Sequence, residues 1–153
     1  MIKLYKSEIL NGERDRDAST RLILLAAREL CGVENPVVLR TDMGKPYFAD
    51  LPLRFSVSHS GSRVILAVSD KEIGADIERI RPRRLDVANR FFTAGEVAYV
   101  GDSVERFYEI WTKKEAFGKW CGGGFSSARD TDVTTLDFYT ETDGDYIISV
   151  YEK

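Results

Sequence analysis

Two kinds of hydrophobic pattern, a period of two and a period near 3.6, alternate along the 153-residue chain. The alternating run 2–9 predicts an edge strand, which the turn residues Asn11 and Gly12 end. A run rich in Leu, Ala, Arg and Glu over 15–30 predicts a helix, which Gly32 is placed to terminate. We expect the core face of this helix to contain Leu22, Leu25, Ala26 and Leu30.

Three segments with strong strand character follow, at 53–59, 63–69 and 73–79. The connections between them are so short that an antiparallel meander is favoured. In a meander the first and third strands end at the same edge of the sheet. The pattern therefore predicts that His59 lies near Glu78, about 10 Å away across the middle strand.

Past Pro82 the pattern becomes helical. Thr93 and Glu96 form a capping-box signature, and a second N-terminus is predicted at 102–105. The long helix that starts there should run over 103–120, before the glycines at 122–124.

Two further strand-like runs, 132–139 and 145–151, complete the chain. Together the elements predict an α+β fold organised as one domain over 1–153.

The composition excludes several classes of protein. With 43% hydrophobic and 31% charged residues the chain is typical of a globular domain, and its longest apolar runs are far too short to span a membrane. Two cysteines and one histidine make neither a disulfide framework nor a standard zinc site. No signal-peptide pattern follows Met1, so we expect a cytoplasmic protein. A net charge of -3 argues against a dedicated nucleic-acid binder.

The long helix carries an acid where an apolar residue is expected. Its apolar stripe consists of Val104, Phe107, Tyr108 and Trp111. The next position near the centre of this stripe is Glu115, with Lys119 one turn later. A carboxylate buried without a partner costs several kcal/mol, so Glu115 should meet a cation, a hydrogen-bond network or a ligand. The same spacing is also typical of an ordinary surface ion pair between Glu115 and Lys119.

A second pair of acids lies on the strand 73–79. Asp76 and Glu78 share one face of it, which is also typical of a strand with one wetted face. Like charges side by side can be held together by a hard divalent cation. If Glu115 converges on them, three carboxylates without imidazole or thiolate favour Mg²⁺ or Mn²⁺ over zinc.

His59 is the only histidine and stands between Ser58 and Ser60. Neighbouring residues on a strand point to opposite faces, and there is no G-x-S-x-G sequence, so a serine hydrolase is disfavoured. The imidazole, the hydroxyls and the nearby Gly61 turn suit an anion such as phosphate, and Lys45 adds a cation on a stiff turn. A purely structural histidine is the alternative.

The stretch 79–92 is strongly basic, with five arginines against the single acid Asp86. Aromatic side chains lie among these charges, so the stretch suits an acidic protein partner that also offers apolar contacts. A solvated basic face is equally typical of such a composition.

Four blocks together resemble the 4'-phosphopantetheinyl transferases of the surfactin-synthetase-activating type. The blocks are Gly44–Pro46, Phe55–Gly61, Ile73–Glu78 and Trp111–Lys119. Their order and spacing agree with that family, and the resemblance covers roughly 15–127.

The resemblance implies a 4'-phosphopantetheinyl transferase-like fold with two pseudo-symmetric halves, about 1–72 and 73–153, each with a small antiparallel sheet packed on helices. The site would lie between the halves. Shorter relatives trimerise, with the aspartate motif close to the N-terminus, whereas here 75 residues precede Asp76. We therefore expect a monomer.

The implied reaction transfers the phosphopantetheine arm of coenzyme A to a serine of an acyl or peptidyl carrier protein and releases adenosine 3',5'-bisphosphate. Asp76, Glu78 and Glu115 would match the magnesium ligands. Glu115 would also orient or deprotonate the attacking serine, and Lys119 would stabilise charge on the phosphate and leaving group.

The resemblance also implies residues that bind the two substrates. Coenzyme A would be held by Arg21, Lys45, Ser58, His59 and Lys119. The carrier protein would dock near Arg83, Arg84, Arg90 and Phe91.

The sequence departs from the family in several places. The region before Asp15 is too short for the basic N-terminal segment of many relatives, and Arg14 and Arg16 are candidates to replace it. Gly118 costs about 1 kcal/mol inside a helix and is expected to mark a close approach of backbone to ligand.

Three other functions stay open at this point. They are a non-catalytic module that binds a carrier protein or nucleotide, another magnesium-dependent phosphotransferase or phosphodiesterase, and a thiol protease that pairs Cys121 with His59.

Overall fold

Two three-stranded antiparallel sheets pack against each other, and each carries one long helix on its outer face. The computed structural model describes residues 1–153. The strands are β1 (Lys3–Glu8), β2 (Val38–Arg40), β3 (Pro46–Phe48), β4 (Arg54–Ser60), β5 (Arg63–Ser69), β6 (Ile73–Arg79), β7 (Tyr139–Asp143) and β8 (Tyr146–Glu152). The α-helices are α1 (Asp15–Cys31), α2 (Ala88–Phe91), α3 (Ala94–Val100), α4 (Val104–Cys121) and α5 (Phe125–Ala128). Short 3₁₀ turns lie at Leu85–Val87 and Val133–Thr135.

The first sheet has the strand order β1-β5-β4 and packs under α1. Leu22 and Ala26 of the helix are buried there, as predicted, and Leu25 is partly buried. The prediction for Leu30 is wrong, because its side chain is 41% exposed. Leu30 lies in the last turn, about 80° around the helix from Leu22, and so at the margin of the apolar stripe.

The second sheet has the order β6-β8-β7 and packs under α4. The hydroxyls of Thr112 on α4 and Ser149 on β8 lie 2.8 Å apart in this interface. Gly74 allows β6 to approach α4 closely, since a Cβ at this position would collide with the backbone of Ala116 and Trp120 on the helix. The core between the two sheets is made of aliphatic side chains from β5, β6 and β8 and of Tyr146.

The predicted meander is wrong, because β6 does not pair with β5 but begins the second sheet. The segment 70–72, which could have closed a hairpin, instead carries the chain from one sheet to the other. As a result β6 runs alongside β4, and no strand separates His59 from Glu78. The two residues line the same cavity, but the middle strand that was expected between them is absent.

Most of the other predicted elements are confirmed. Ser103 caps α4 by accepting a hydrogen bond from the backbone of Arg106, and the capping box of Thr93 and Glu96 begins α3. The strand predicted at 132–139 is wrong over most of its length, because Asp132 caps a 3₁₀ turn and β7 begins only at Tyr139. The β2–β3 hairpin was not predicted.

The α+β class, with small antiparallel sheets packed on helices, is confirmed. The structure contains no helix with the length and hydrophobicity that crossing a membrane requires.

Candidate active site

A cavity of about 1090 Å³ opens where α1, the β2–β3 hairpin, β4, β6 and α4 meet. The acids Asp76, Glu78 and Glu115 line it together with Lys119, and His59 lies on it as well. Six of the eight predicted site residues line this one cavity: Ser58, His59, Asp76, Glu78, Glu115 and Lys119. Residues from both sheets therefore build one site.

The three carboxylates come from two elements that pack closely. Asp76 and Glu78 alternate with buried core residues along β6, and α4 presents Glu115. Gly74 lets α4 and β6 approach closely enough for this arrangement. In this structure the side chains line the cavity without forming a cluster tight enough to hold a metal ion.

Burial raises the pKa of all three carboxyl groups. Asp76 is 5% exposed, and desolvation raises its pKa although the charge of Lys119 and a hydrogen bond from Ser58 oppose the shift. Desolvation and then the charge of Asp76 raise the pKa of Glu78 to about 7. Desolvation followed by the charge of Asp76 also raises the pKa of Glu115. The negative charges are thus poorly compensated when all three groups are ionised.

One carboxylate oxygen of this group has no partner. Oδ1 of Asp76 accepts hydrogen bonds from Ser58 Oγ at 2.9 Å and from Lys119 Nζ at 3.3 Å. Oδ2 is buried and accepts none. An unpartnered buried oxygen among mutually repelling carboxylates fits a hard divalent cation, whose preferred ligands are carboxylate oxygens.

Lys119 does not form the surface pair with Glu115 that the helical spacing allowed. Its Nζ lies 3.3 Å from Asp76 Oδ1 and 3.4 Å from the carbonyl oxygen of Val57. The lysine therefore connects α4 to β6 and β4 on the wall of the cavity.

His59 lies at the exposed side of the cavity. Its Nδ1 is 3.4 Å from Oδ2 of Asp15 at the start of α1, and both side chains are about half exposed. Because Asp15 orients one ring nitrogen, the other is available to a ligand in the cavity.

Two of the predicted coenzyme A residues are not brought to this cavity. Arg21 points to the opposite side of α1, where it forms an ion pair with Glu13 at 2.9 Å and bonds Ser7. Lys45 donates to Glu72 and to the carbonyl oxygen of Ile73, at 3.1 and 2.9 Å. Both cations are thus satisfied by protein groups elsewhere.

Several cavity residues were missed or only considered as substitutes. Arg14 lies at the N-cap of α1, and those on the helix itself are Asp15, Arg16, Ser19, Thr20, Ile23 and Leu24. The β2–β3 hairpin adds Val38, Arg40 and Pro46. Residues 16, 19, 20 and 23 lie on one face of a helix, whereas Arg21 lies on another. This periodicity could have identified the cavity face of α1.

Of the predicted docking residues, Arg83, Arg84 and Arg90 are exposed, whereas Phe91 is half-buried against Trp111 and Phe125. The exposed guanidinium of Arg83 lies over the rings of Phe107 and Trp111, 4.9 and 5.6 Å from their centroids. A second cavity of about 340 Å³ next to Arg83 is also lined by Arg81 and by Glu78, which it shares with the main cavity. Arg84 pairs with Asp86, and Arg90 lies over Phe91.

Two further expectations can be compared with the structure. Gly118 approaches the backbone of Gly124 and Phe125 rather than facing the cavity, so the expected approach to a ligand is wrong. Cys121 is exposed at the end of α4 and does not line the cavity with His59, which argues against a thiol protease.

Comparison with known proteins assigns this arrangement to a family. Residues 72–153 match the model of the 4'-phosphopantetheinyl transferase superfamily. These residues include β6 and α4, which carry all three acids.

Individual relatives agree with this match. A 4'-phosphopantetheinyl transferase of Bacillus subtilis is 38% identical over 96 residues, which cover 59% of this chain and 43% of the relative. The 4'-phosphopantetheinyl transferase AcpT of Escherichia coli K12 is 43% identical over 97 residues, which cover 58% of this chain and 50% of the relative. The chain spans about half the length of the curated relatives it matches.

Proposed function

This chain belongs to the 4'-phosphopantetheinyl transferase superfamily, and we propose that it transfers the 4'-phosphopantetheine arm of coenzyme A to a serine of an apo acyl or peptidyl carrier protein. The other product is adenosine 3',5'-bisphosphate. The observation that carries this proposal is the cavity in which Asp76, Glu78 and Glu115 face Lys119 between the two sheets.

Asp76, Glu78 and Glu115 would hold Mg²⁺, or Mn²⁺ in its place. Their raised pKa values and the unpartnered Oδ2 of Asp76 support this assignment. When bound, the ion neutralises negative charge on the diphosphate of coenzyme A.

Glu115 would accept the proton of the attacking serine. The serine oxygen forms a bond to the phosphorus that carries pantetheine, and the bond from this phosphorus to the bridging oxygen of the diphosphate breaks. The serine proton passes to Glu115, directly or through a water molecule. Glu115 lines the same cavity as Asp76 and Lys119, so a serine that reaches the diphosphate there would lie within its reach.

Lys119 would stabilise the leaving group. Its ammonium lies on the cavity wall next to Asp76, where it can donate a hydrogen bond to the diphosphate. The bridging oxygen gains negative charge as the bond breaks, and a fixed cation stabilises that charge.

Coenzyme A would occupy the rest of the cavity. Its phosphates suit His59 and the arginines Arg14, Arg16 and Arg40, and the apolar side chains at the hairpin end suit the adenine ring.

The carrier protein would bind the surface of Arg83, Arg84, Arg90 and Phe91. Exposed guanidinium groups beside aromatic rings suit an acidic helix with some apolar positions. We propose a monomer, because the acids of β6 and α4 and the residues of α1 that line the cavity all come from one copy of the chain. A cytoplasmic location is proposed as well, since both cysteines are free.

The released nucleotide tests this proposal. Wild-type protein, Glu115→Gln and Lys119→Met are each incubated with coenzyme A, Mg²⁺ and apo carrier proteins, and adenosine 3',5'-bisphosphate is quantified by chromatography. Each substitution should lower its release about 10²- to 10⁴-fold, the range that general acid–base groups contribute. Carrier binding, measured in parallel, should change little. Release at the wild-type rate by both variants would overturn the assignment.

A further inference from the structure

Three serines of β4 connect the two sheets. Ser56, Ser58 and Ser60 occupy alternate positions and therefore face the same side of the strand. Their hydroxyl oxygens accept hydrogen bonds from successive backbone N–H groups of β6, those of Ala75, Ile77 and Arg79, at 3.0, 3.3 and 3.0 Å. We call these three residues the serine ladder. The serine side chains of β4 thus supply hydrogen-bond acceptors for backbone N–H groups along the edge of β6.

The middle serine has an additional role. Ser58 Oγ also donates to Oδ1 of Asp76 at 2.9 Å, which neither Ser56 nor Ser60 does. A serine hydroxyl has a single proton, so Ser58 commits it to this carboxylate. Ser58 is 6% exposed and Asp76 is 5% exposed, so the bond is shielded from water.

We propose that Ser58 is a positioning residue that fixes the Asp76 carboxylate for Mg²⁺, rather than a residue that binds the phosphates of coenzyme A. Its bond to Oδ1 leaves Oδ2 as the oxygen without a partner. The inference rests on the proposed function, because it assigns Asp76 to the metal.

Ser58 is better suited than Lys119, the other contact of Asp76, to orient the Asp76 carboxylate. The serine lies on a strand that the ladder holds in register against β6, so its oxygen has little freedom to move. Lys119 reaches the same oxygen at 3.3 Å with a long side chain that is 31% exposed, and the proposed reaction uses its charge elsewhere. Groups that orient a metal ligand in this way matter for affinity nearly as much as the ligand itself.

The ladder supplies its own matched controls. Ser56→Ala, Ser58→Ala and Ser60→Ala each remove one hydrogen bond between the sheets, but Ser58→Ala alone also removes the bond to Asp76. Ser56 is as deeply buried as Ser58, so it is the closest comparison. Mg²⁺ affinity is measured for each full-length variant by calorimetric titration with MgCl₂. Thermal unfolding shows that each variant is folded.

Ser58→Ala should bind Mg²⁺ about 10- to 100-fold more weakly than wild type, the usual cost of losing such a supporting bond. Ser56→Ala and Ser60→Ala should bind it as wild type does. Ser58→Thr keeps the hydroxyl and should restore the affinity, and Ser58→Cys, a weak donor of similar size, should lie between. In the transfer reaction Ser58→Ala should require more Mg²⁺ while the KM for coenzyme A stays unchanged.

Three results would overturn the inference, and they can be distinguished from one another. If wild type binds Mg²⁺ and Ser58→Ala binds it as well as Ser56→Ala does, the positioning role is wrong and the proposed function stands. A raised KM for coenzyme A at unchanged Mg²⁺ affinity would point to a phosphate contact instead. If wild-type protein neither binds Mg²⁺ nor transfers the arm, the proposed function fails and the inference fails with it.

Discussion

Lys119 pairs with Asp76 rather than with Glu115, which lies one helical turn before it. The Nζ of Lys119 is 3.3 Å from Oδ1 of Asp76. The pair joins α4 to β6, and the same ammonium lies 3.4 Å from the carbonyl oxygen of Val57 on β4. The lysine thus contacts both sheets at the point where the three carboxylates face the cavity. A change in the packing of α4 on β6 should therefore alter the site as a whole.

The buried ion pair of Lys114 and Glu96 should be essential for stability. Both side chains are fully buried, with Nζ 2.8 Å from Oε1, and Nζ also donates to the carbonyl oxygens of Arg129 and Thr131. Lys114→Met leaves the buried Glu96 without its cation, so the free energy of unfolding should fall by about 3–5 kcal/mol. Denaturant unfolding measures this loss.

The neighbouring lysine provides the control for this experiment. Lys113 forms an i, i+4 pair with Glu109 that is partly exposed. Lys113→Met should lower the free energy of unfolding by less than about 1 kcal/mol. Equal losses for the two variants would contradict the role given to the buried pair.

Gly74→Ala should separate β6 from α4. The added Cβ would collide with the carbonyl oxygen of Ala116 and the backbone of Trp120, which cannot rotate away. We expect a loss of about 1–3 kcal/mol in the free energy of unfolding, as for other overpacked sites. Mg²⁺ affinity should also fall, because Asp76 and Glu78 move relative to Glu115.

Gly123→Ala is the comparison for that substitution. Its Cβ would meet only the side chain of Ser127, at 3.1 Å, which can shift. The variant should keep both its stability and its Mg²⁺ affinity. A Gly74→Ala protein that behaves in the same way would show that the close approach is not required.

Glu78 should make the metal-free protein less stable as the pH rises towards neutrality. Its pKa is raised from 4.5 to about 7 in the fold, so folding favours the protonated form. The contribution of protonated Glu78 to the free energy of unfolding is fully present below pH 4.5. It is lost as the pH rises through 7. In the presence of a metal chelator, the melting temperature of wild type should therefore fall relative to that of Glu78→Gln as the pH rises from 4.5 through 7.

Mg²⁺ should offset part of that loss near pH 7.5, because binding stabilises the folded state by about 1.4 kcal/mol at ten times the dissociation constant. The stabilisation should be much smaller in Glu78→Gln, which lacks one charged ligand. A difference in melting temperature that does not vary with pH would contradict the raised pKa.

Reversing the charges of Arg83, Arg84 and Arg90 should weaken carrier recognition. Placing acids opposite an acidic helix costs several kcal/mol, so kcat/KM for the carrier should fall at least about 10-fold. Coenzyme A binding should stay unchanged, because none of the three lines the main cavity. Arg28→Glu, on the exposed far end of α1, is the control and should have no effect. An unchanged kcat/KM in the triple variant would place the docking surface elsewhere.

Short-range patterns predict the acids of the site. Alternation on β6 places Asp76 and Glu78 on one face, and the apolar stripe of α4 identifies Glu115 as an acid facing inwards. Both inferences depend on periodicity within one element, which the structure preserves. The bounds of α1 and α4 follow from their caps in the same way.

Relations between elements could not be predicted from those patterns. The three residues 70–72 are compatible with a hairpin or with a passage between sheets, and only the packing of β6 on β4 and α4 decides between them. The partners of Arg21, Lys45 and Ser58 are likewise distant in sequence, or depend on which side of an element faces the cavity. Ser58 was expected to hold a phosphate, and its bond to Asp76 exists only because the two sheets meet there.

The intact mass of the carrier protein is the most direct test of the transfer itself. Purified protein is incubated with coenzyme A, Mg²⁺ and a panel of apo carrier proteins, and each carrier is weighed before and after the reaction. At least one carrier should gain the mass of a single phosphopantetheine group, and chelation of Mg²⁺ should abolish the gain. No gain with any carrier, from protein shown to be folded, would contradict the assignment of this site as a phosphopantetheinyl transferase.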